Sequence, residues 1–378
     1  SWATAVTRGP SLAAIRRCWS GRSAREAKTS KLASMRDAVT FACWPPGPPD
    51  REARTVTSAS GIAAPRPRGI GSSILAIVRG GRVEGVSAVR IEIETLGPFS
   101  LAQSIAFLSR FDPLGAGSCD DGRLRIAFTD DAGFPAGVCV SQEPHGIFAE
   151  GTTRLSEEAL ARHVARILSL DVDAHGLADV GRRDPAVQAL LERYPGRRPV
   201  CFGTPFEAAA WAVLSQRVQM AQAAKVKHEL ARQLGATLVV DGERLSPFPA
   251  PSAIAELEEF PGLWPTKAGR LRELARAAMG GALDPQALRA VPAEEALAQL
   301  QALPGLGPWS AALVLVRGAG HPDVAPVSAR LMGPAVARMY GRPADEIDDA
   351  ALAEISEGWR PFRSWVTFLA RNAADDAP

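Results

Sequence analysis

The 378-residue sequence contains no apolar run of the about 18–20 residues that a membrane-spanning helix needs. Its five cysteines form no CxxC pair and its five histidines do not cluster, which argues against a disulfide framework, an iron–sulfur cluster and a zinc site. No repeat of 20–50 residues is present. We therefore expect reduced, scattered thiols, a cytoplasmic location and no contact with a membrane.

The charge is nearly balanced overall but unevenly distributed. The net charge is +2, yet residues 1–70 carry 12 Lys and Arg against 4 Asp and Glu, while the rest carries 31 against 37. Because the larger part is acidic, a nucleic-acid role would need local basic patches rather than a generally basic surface.

Residues 1–72 are rich in Arg, Ser, Ala and Pro and show no lasting apolar period. This composition predicts a disordered basic extension. An organellar transit peptide is the less favoured alternative, and a misassigned start site would leave a similar segment.

The next part, 73–153, has the pattern of a small α+β domain. Runs rich in Ile and Val predict strands at 73–79 and 86–95, and an apolar helix is expected over 101–111. Two further strands, 124–129 and 137–142, are separated by the turn-forming sequence Asp-Asp-Ala-Gly-Phe-Pro.

From residue 154 to 378 the pattern is helical, so the expected fold class is α+β with a sheet-plus-helix domain followed by an all-helical domain. The segment from Thr204 to Glu207 reads as a capping box with proline at the first helical position. Pro334 is expected to kink or split its helix. The predicted helices are 206–214, 221–234, 267–279, 293–302, 308–317 and 329–339.

The segment Leu303-Pro304-Gly305-Leu306-Gly307-Pro308-Trp309-Ser310 joins two of these helices through a tight turn. Glycines permit positive φ and close approach of another backbone. The free N–H groups at the start of the second helix can hold a phosphate without side-chain charge, which suits an acidic globular part. A plain helix–turn–helix corner is the simpler interpretation of this turn alone.

Four blocks, in order within residues 88–375, resemble the DNA-3-methyladenine glycosylase II family of helix-hairpin-helix DNA glycosylases. Residues 1–87 have no counterpart in that family. The blocks are Pro98-Phe99-Ser100-Leu101 with Ala106-Phe107-Leu108, Leu214-Ser215-Gln216-Arg217-Val218 with Ala223-Ala224-Lys225, the hairpin of about 294–317 with Gly318, and Trp359-Arg360-Pro361-Phe362-Arg363-Ser364-Trp365.

The resemblance implies a monofunctional glycosylase that flips cationic alkylated purines, such as 3-methyladenine and 7-methylguanine, out of double-stranded DNA in base excision repair. The family carboxylate that stabilises the oxocarbenium-like transition state would fall on Ala329, which has none. Asp323 is the nearest substitute, with loop structure as its other interpretation. A non-catalytic lesion-binding homologue is therefore the alternative function, and a helical protein-interaction module is a third.

Further site residues follow from the resemblance alone. Trp309 stands where lyase-type relatives place a lysine, so no Schiff base is expected. The base pocket would include Trp309 and Phe107, with family aromatics replaced at Leu313 and Arg330; packing at a domain interface is the alternative for the two aromatic rings. The DNA-binding residues would be Gly305, Leu306, Gly307, Trp309, Ser310, Gln216 and Arg217.

In the family the gap left by the flipped nucleotide is filled by an apolar leucine, whereas this chain has Arg217, which can stack between bases and pair with phosphate. No cofactor is required, but family hairpins hold a Na or K ion through carbonyls that would be those of Gln301, Leu303 and Leu306. The protein is expected to act as a monomer. Six basic residues are candidates for a local DNA-binding face: Lys225, Lys227, Arg270, Arg272, Arg360 and Arg363.

Overall fold

The computed structural model describes residues 76–78, 81–82, 87–111 and 121–376. The predicted extension 1–72 lies outside these residues, and the proposed division of the chain at residue 153 stays a prediction. The strands, in chain order, are Ala76–Val78 (β1), Gly81–Arg82 (β2), Ser87–Ile93 (β3), Leu124–Thr129 (β4), Pro135–Glu143 (β5), Gly146–Thr153 (β6), Thr237–Val240 (β7) and Glu243–Leu245 (β8).

Helices dominate after β6, as the sequence predicts. In chain order the helices are Leu101–Leu108 (α1), Glu157–Ile167 (α2), Leu177–Arg183 (α3), Pro185–Arg193 (α4), Pro205–Leu214 (α5), Met220–Leu234 (α6), Pro251–Ala255 (α7), Pro265–Met279 (α8), Pro285–Ala290 (α9), Ala293–Gln301 (α10), Pro308–Arg317 (α11), Ala329–Tyr340 (α12), Asp349–Glu357 (α13) and Arg363–Asp375 (α14), with a 3-10 turn at Ala344–Glu346. None of the helices in the described ranges is long and apolar enough to cross a membrane.

The first sheet has the strand order β3-β6-β5-β4 and is antiparallel throughout. Period-two burial in β3 turns Ile91 and Ile93 inward while Arg90 and Glu92 face solvent. Helix α1 begins at a Ser100 cap, whose hydroxyl accepts a hydrogen bond from Gln103 N–H. These elements confirm the predicted α+β fold class.

The helical half also contains a β-hairpin, so the expectation of an all-helical domain is wrong in this detail. Strands β7 and β8 pair with each other, and β7 pairs with β1 to give the second sheet, β2-β1-β7-β8. The turn is Asp241-Gly242, and both residues have positive φ (47° and 85°). An Asp-Gly pair directly after a β-branched run is a sequence signal for this type of hairpin.

Helix α5 is the centre of the core, since all ten of its residues are buried. The predicted capping box forms at its start: the Thr204 hydroxyl accepts from Glu207 N–H (3.1 Å), and the Glu207 carboxylate accepts from Gly203 N–H (3.0 Å). Helix α12 continues through Pro334 without the split predicted for it.

A buried arginine fastens the segment before α1 to the helical half. Arg198 donates hydrogen bonds to the carbonyls of Leu96 (2.6 Å), Pro98 (3.0 Å), Ser169 (2.8 Å) and Val172 (3.1 Å). Burial lowers the pKa of Arg198 to about 10. The guanidinium is thus satisfied by four backbone oxygens from two distant parts of the chain.

Candidate functional site

A backbone hydrogen bond closes the hairpin between α10 and α11. Leu306 N–H donates to the Leu303 carbonyl (3.2 Å), and Gly305 has a φ of +85°, a conformation that favours glycine. Gly307 is the N-cap of α11 and provides no side-chain cap, and no described residue accepts from the N–H groups of Trp309 and Ser310. The start of α11 therefore keeps free donors that suit an anion such as a phosphate.

The turn after α5 is held directly on this hairpin. The Gln216 amide nitrogen donates to the Gly305 carbonyl (2.8 Å), and Arg270 donates to the Gln216 amide oxygen (2.9 Å). Arg217 follows with a left-handed φ of 56° and an exposed side chain that pairs with no described residue. The structure thus brings together two groups that lie about 90 residues apart in the sequence.

Helix α8 supports both parts of this arrangement. Lys267 Nζ donates to the Leu214 carbonyl (2.6 Å), which fixes the end of α5. A Cβ at Gly305 would lie 2.7 Å from Cδ of Arg270, so a larger residue would displace this side chain in addition to straining the positive φ. No sequence pattern indicates this role of Lys267, because the contact depends on the docking of two helices that are distant in the chain.

The structure assigns internal roles to most of the six predicted basic DNA contacts. Lys225 is exposed, but Lys227 is buried in an ion pair with Glu207 (2.6 Å). Arg363 is buried against Asp323, so neither Lys227 nor Arg363 can reach a phosphate. These two assignments were wrong because the sequence cannot show which face of a helix is covered. Arg270, Arg272 and Arg360 are also engaged in hydrogen bonds within the chain.

Trp309 and Leu313 lie one turn apart on α11. The Trp309 ring is half-buried against the main core, and Leu313 is buried in it. Arg330, one residue into α12, is exposed. Of the predicted pocket residues, Trp309 alone combines an aromatic ring with partial exposure.

Phe107 is part of an aromatic cage around a buried arginine. The guanidinium carbon of Arg317 lies 5.1 Å from the centroid of the Phe107 ring, 5.0 Å from that of Phe111, 5.9 Å from that of Phe202 and 5.8 Å from that of Phe368. Phe107 also meets Phe368 edge-on at 5.0 Å. The cage favours the packing interpretation of Phe107 over a ring that faces a flipped base.

Ala329 is the first residue of α12 and is 8% exposed. Its N–H donates to Oδ1 of Asp349 (2.7 Å), the first residue of α13. Oδ2 of Asp349 has no partner among the described residues, and the side chain is exposed. A carboxylate therefore lies beside residue 329, the position at which the resemblance predicts the family aspartate.

Sequence reasoning overlooked Asp349 because it lies 20 residues after Ala329. The Asp348-Asp349 pair ahead of an Ala- and Leu-rich run does mark a helix start, and Asp348 caps α13 by accepting from Ala351 N–H (2.8 Å). Nothing in the sequence indicates that this helix start packs against the start of α12.

The Asp323 carboxylate is held by the guanidinium groups of two arginines. Its Oδ1 accepts from Nε of Arg363 (2.8 Å), and its Oδ2 accepts from Arg363 (3.1 Å) and Arg360 (3.0 Å). Both oxygens are thus engaged by guanidinium groups, and the bidentate pair with Arg363 is largely buried. This arrangement favours the loop-structural interpretation of Asp323.

The same loop contains a histidine whose charge state affects stability. Nδ1 of His321 accepts from Asp323 N–H (3.1 Å), which requires the neutral ring, and burial lowers the pKa of His321 below its ordinary value. Between the lowered folded pKa and the ordinary value near 6.5, the unfolded chain binds more protons, so stability falls as the pH drops through this window.

We expect His321→Asn, whose amide oxygen can accept the same hydrogen bond without titrating, to lose less stability than the unaltered protein between pH 7.5 and pH 5. Urea unfolding at each pH measures the difference in unfolding free energy. Equal losses in the two proteins would contradict the assignment of this pH dependence to His321.

A cavity of about 430 Å³ lies away from the hairpin, between the β4–β5 turn and the ends of α7 and α8. Asp130 is buried there, and desolvation raises its pKa. The other ionisable side chains around the cavity are Asp131, Glu207 and Asp284, so its described lining offers no basic side chain to a phosphate. The cavity is therefore separate from the candidate nucleic-acid site.

Comparison with solved structures identifies the fold. A 3-methyladenine DNA glycosylase from Archaeoglobus fulgidus superposes with a TM-score of 0.60 at 22% identity, covering 75% of this chain and 96% of that one. The 8-oxoguanine glycosylase/lyase of Clostridium acetobutylicum, in complex with double-stranded DNA, gives a TM-score of 0.56 at 15% identity, over 80% and 99% of the two chains. At these identities the likeness establishes the fold alone.

Two curated proteins are related in sequence. The chain is 25% identical over 215 residues to a DNA-3-methyladenine glycosylase of Bacillus subtilis (strain 168), covering 56% of this chain and 71% of that protein. It is 32% identical over 206 residues to a probable bifunctional transcriptional activator/DNA repair enzyme AlkA of Mycobacterium tuberculosis, of which it spans 40%. No protein-family model matches the sequence.

The fold is that of the helix-hairpin-helix DNA glycosylases, and the chain is similar in sequence to proteins named DNA-3-methyladenine glycosylase and AlkA. The resemblance to the DNA-3-methyladenine glycosylases, predicted from four sequence blocks, is confirmed by the curated relative that bears this name.

Proposed function

We propose that the protein is a monofunctional DNA glycosylase that excises cationic alkylated purines, such as 3-methyladenine and 7-methylguanine, from double-stranded DNA. The observation that carries this proposal is the hydrogen bond between Gln216 and Gly305, which holds an exposed turn beside an uncapped helix start. Free N–H donors can grip a phosphate while Arg217 occupies the space of the flipped nucleotide.

Cationic purines are the substrates whose glycosidic bond needs the least catalytic assistance to break. When the C1′–N bond breaks, its electron pair neutralises the positive purine, so the base leaves without protonation. The sugar becomes oxocarbenium-like, water adds its oxygen to C1′, and the water gives up a proton. The protein then has only to bind the lesion, orient the attacking water and exclude other water, and these tasks need few ionisable groups.

We propose Asp349 as the carboxylate that faces this sugar. Ala329 N–H holds its Oδ1, which leaves Oδ2 to stabilise positive charge at C1′ or to accept a proton from the attacking water. Trp309 at the lyase position supports a reaction with water rather than a lysine Schiff base. The half-buried Trp309 ring can attract a cationic base through its π face.

Carbonyl oxygens of the hairpin are the proposed ligands of a Na or K ion. Three carbonyls near the turn, those of Gln301, Leu303 and Leu306, are neutral oxygen donors, a set that suits a monovalent cation rather than a transition metal. The Leu303 carbonyl also accepts from Leu306 N–H, which leaves its second lone pair for such an ion. A bound ion would add positive charge beside the phosphate site. We propose no other cofactor, a monomeric state and a cytoplasmic location.

The alternative is a lesion-binding homologue without catalysis, which Ala329 favours. Single-turnover release of 7-methylguanine from a duplex, measured against spontaneous loss, separates the two functions. We expect release above the spontaneous rate and a decrease of about tenfold or more in Asp349→Asn, which keeps the cap acceptor but loses the charge.

Binding of the lesion duplex by the unaltered protein without base release above the spontaneous rate would favour the lesion binder. Efficient release of hypoxanthine would refute the restriction to cationic bases. Failure to bind any duplex would exclude both functions and favour an interaction module.

A further inference from the structure

Trp264 is the most exposed large hydrophobic side chain of the described residues. Its relative exposure is 70%, compared with 55% for Met279 and 47% for Phe134. Tryptophan buries more apolar surface than any other side chain when a partner covers it, and an exposed indole is therefore a frequent mark of a binding surface.

The backbone that carries this indole is fixed. The Trp264 carbonyl accepts from Lys267 N–H (2.8 Å) and Ala268 N–H (3.0 Å), and Pro265 begins α8 directly after it. On the other side, Gly262 has a φ of +79°, and a Cβ added there would lie 3.4 Å from Cγ2 of Val226 in α6. The ring is thus held out from a rigid support, which reduces the conformational entropy lost on binding.

Its position is continuous with the candidate DNA face. Lys267, one turn after Trp264, holds the Leu214 carbonyl, and Arg270, about 9 Å further along the helix axis than Trp264, holds Gln216. Two exposed cations lie on the neighbouring elements, Arg217 on the α5–α6 turn whose Gln216 is held by Arg270, and Lys225 next to Val226 on α6, and both suit a polyanion.

We propose that Trp264 stacks on the base that loses its partner when a nucleotide is flipped out, so that Trp264 and Arg217 together fill the gap left in the duplex. This inference rests on the proposed function and extends it. Arg217 brings charge to the gap but little apolar surface, while an indole supplies the flat apolar face on which any base can stack. The occupant is therefore a base of the damaged duplex.

Duplex DNA with a stable abasic analogue opposite 2-aminopurine tests this directly. The dissociation constant is measured by anisotropy, and stacking on the orphaned base by 2-aminopurine fluorescence. We expect Trp264→Ala to weaken binding to this duplex about tenfold and to lose the fluorescence change. Trp264→Phe should keep most of both, and affinity for undamaged duplex should change little.

Met279→Ala is the matched control, because Met279 is also exposed and lies at the other end of the same helix. It should bind as the unaltered protein does. If the unaltered protein binds the abasic duplex and Trp264→Ala binds equally well with the same fluorescence, the role of Trp264 is overturned while the proposed function stands. If the unaltered protein binds no duplex, both fall.

Discussion

Replacing Ala329 by Asp is expected to raise the single-turnover rate of 7-methylguanine release by about 100-fold, the scale of one well-placed electrostatic contact. The positive end of the α12 dipole can stabilise the new carboxylate despite partial burial, although Ala329 N–H already donates to Asp349. The carboxylate would then stand at the position that the resemblance predicts for the family aspartate.

Two variants make this measurement specific. Ala329→Asn has nearly the same shape without the charge and should leave the rate unchanged. Because Asp349 lies beside residue 329, two carboxylates would repel each other, and the double variant with Asp349→Asn should retain the full gain. A folded, duplex-binding Ala329→Asp protein with an unchanged rate would show that residue 329 does not face the sugar.

Replacing Lys227 by Met is expected to lower the free energy of unfolding by about 3–5 kcal/mol, because it leaves the Glu207 carboxylate buried without its cation. Lys227 is 3% exposed, pairs with Glu207 at 2.6 Å and lies 5.4 Å from the centroid of the Phe248 ring. The pair fastens α6 to α5, so its loss should also loosen the turn with Gln216. Urea or guanidinium unfolding measures the change.

The double variant Lys227→Met with Glu207→Gln should recover most of that stability, since no buried charge remains and the amide oxygen can still accept from Gly203 N–H. Lys225→Met, two residues earlier and exposed, should change stability by about 0.5 kcal/mol or less. An equal loss in the single and double variants would mean that packing, rather than charge pairing, accounts for the effect.

The sequence predicted elements well where the signal was local. The capping box of α5, the strand Leu124–Thr129 and the helix Pro308–Arg317 form as expected, because propensity, caps and turn residues act over a few positions. The β7–β8 hairpin is not among the predicted elements, although Asp241-Gly242 is a hairpin signal, because the segments on both sides of it have a helical pattern.

Contacts between distant segments could not be predicted in the same way. No pattern in the sequence joins Gln216 to Gly305 or Ala329 to Asp349, because each contact depends on how helices dock. Basic residues are the clearest example: Lys227 and Lys225 are equally charged neighbours on one helix, yet one is buried in an ion pair and the other is exposed.

The guanidinium of Arg198 has a consequence for shortening the chain. Two of its four acceptors, the carbonyls of Leu96 and Pro98, come from the segment ahead of the helical half. A fragment beginning at residue 154 would leave a buried cation with half of its hydrogen bonds, at about 1–3 kcal/mol for each one lost. A minimal folded fragment must therefore begin before Leu96.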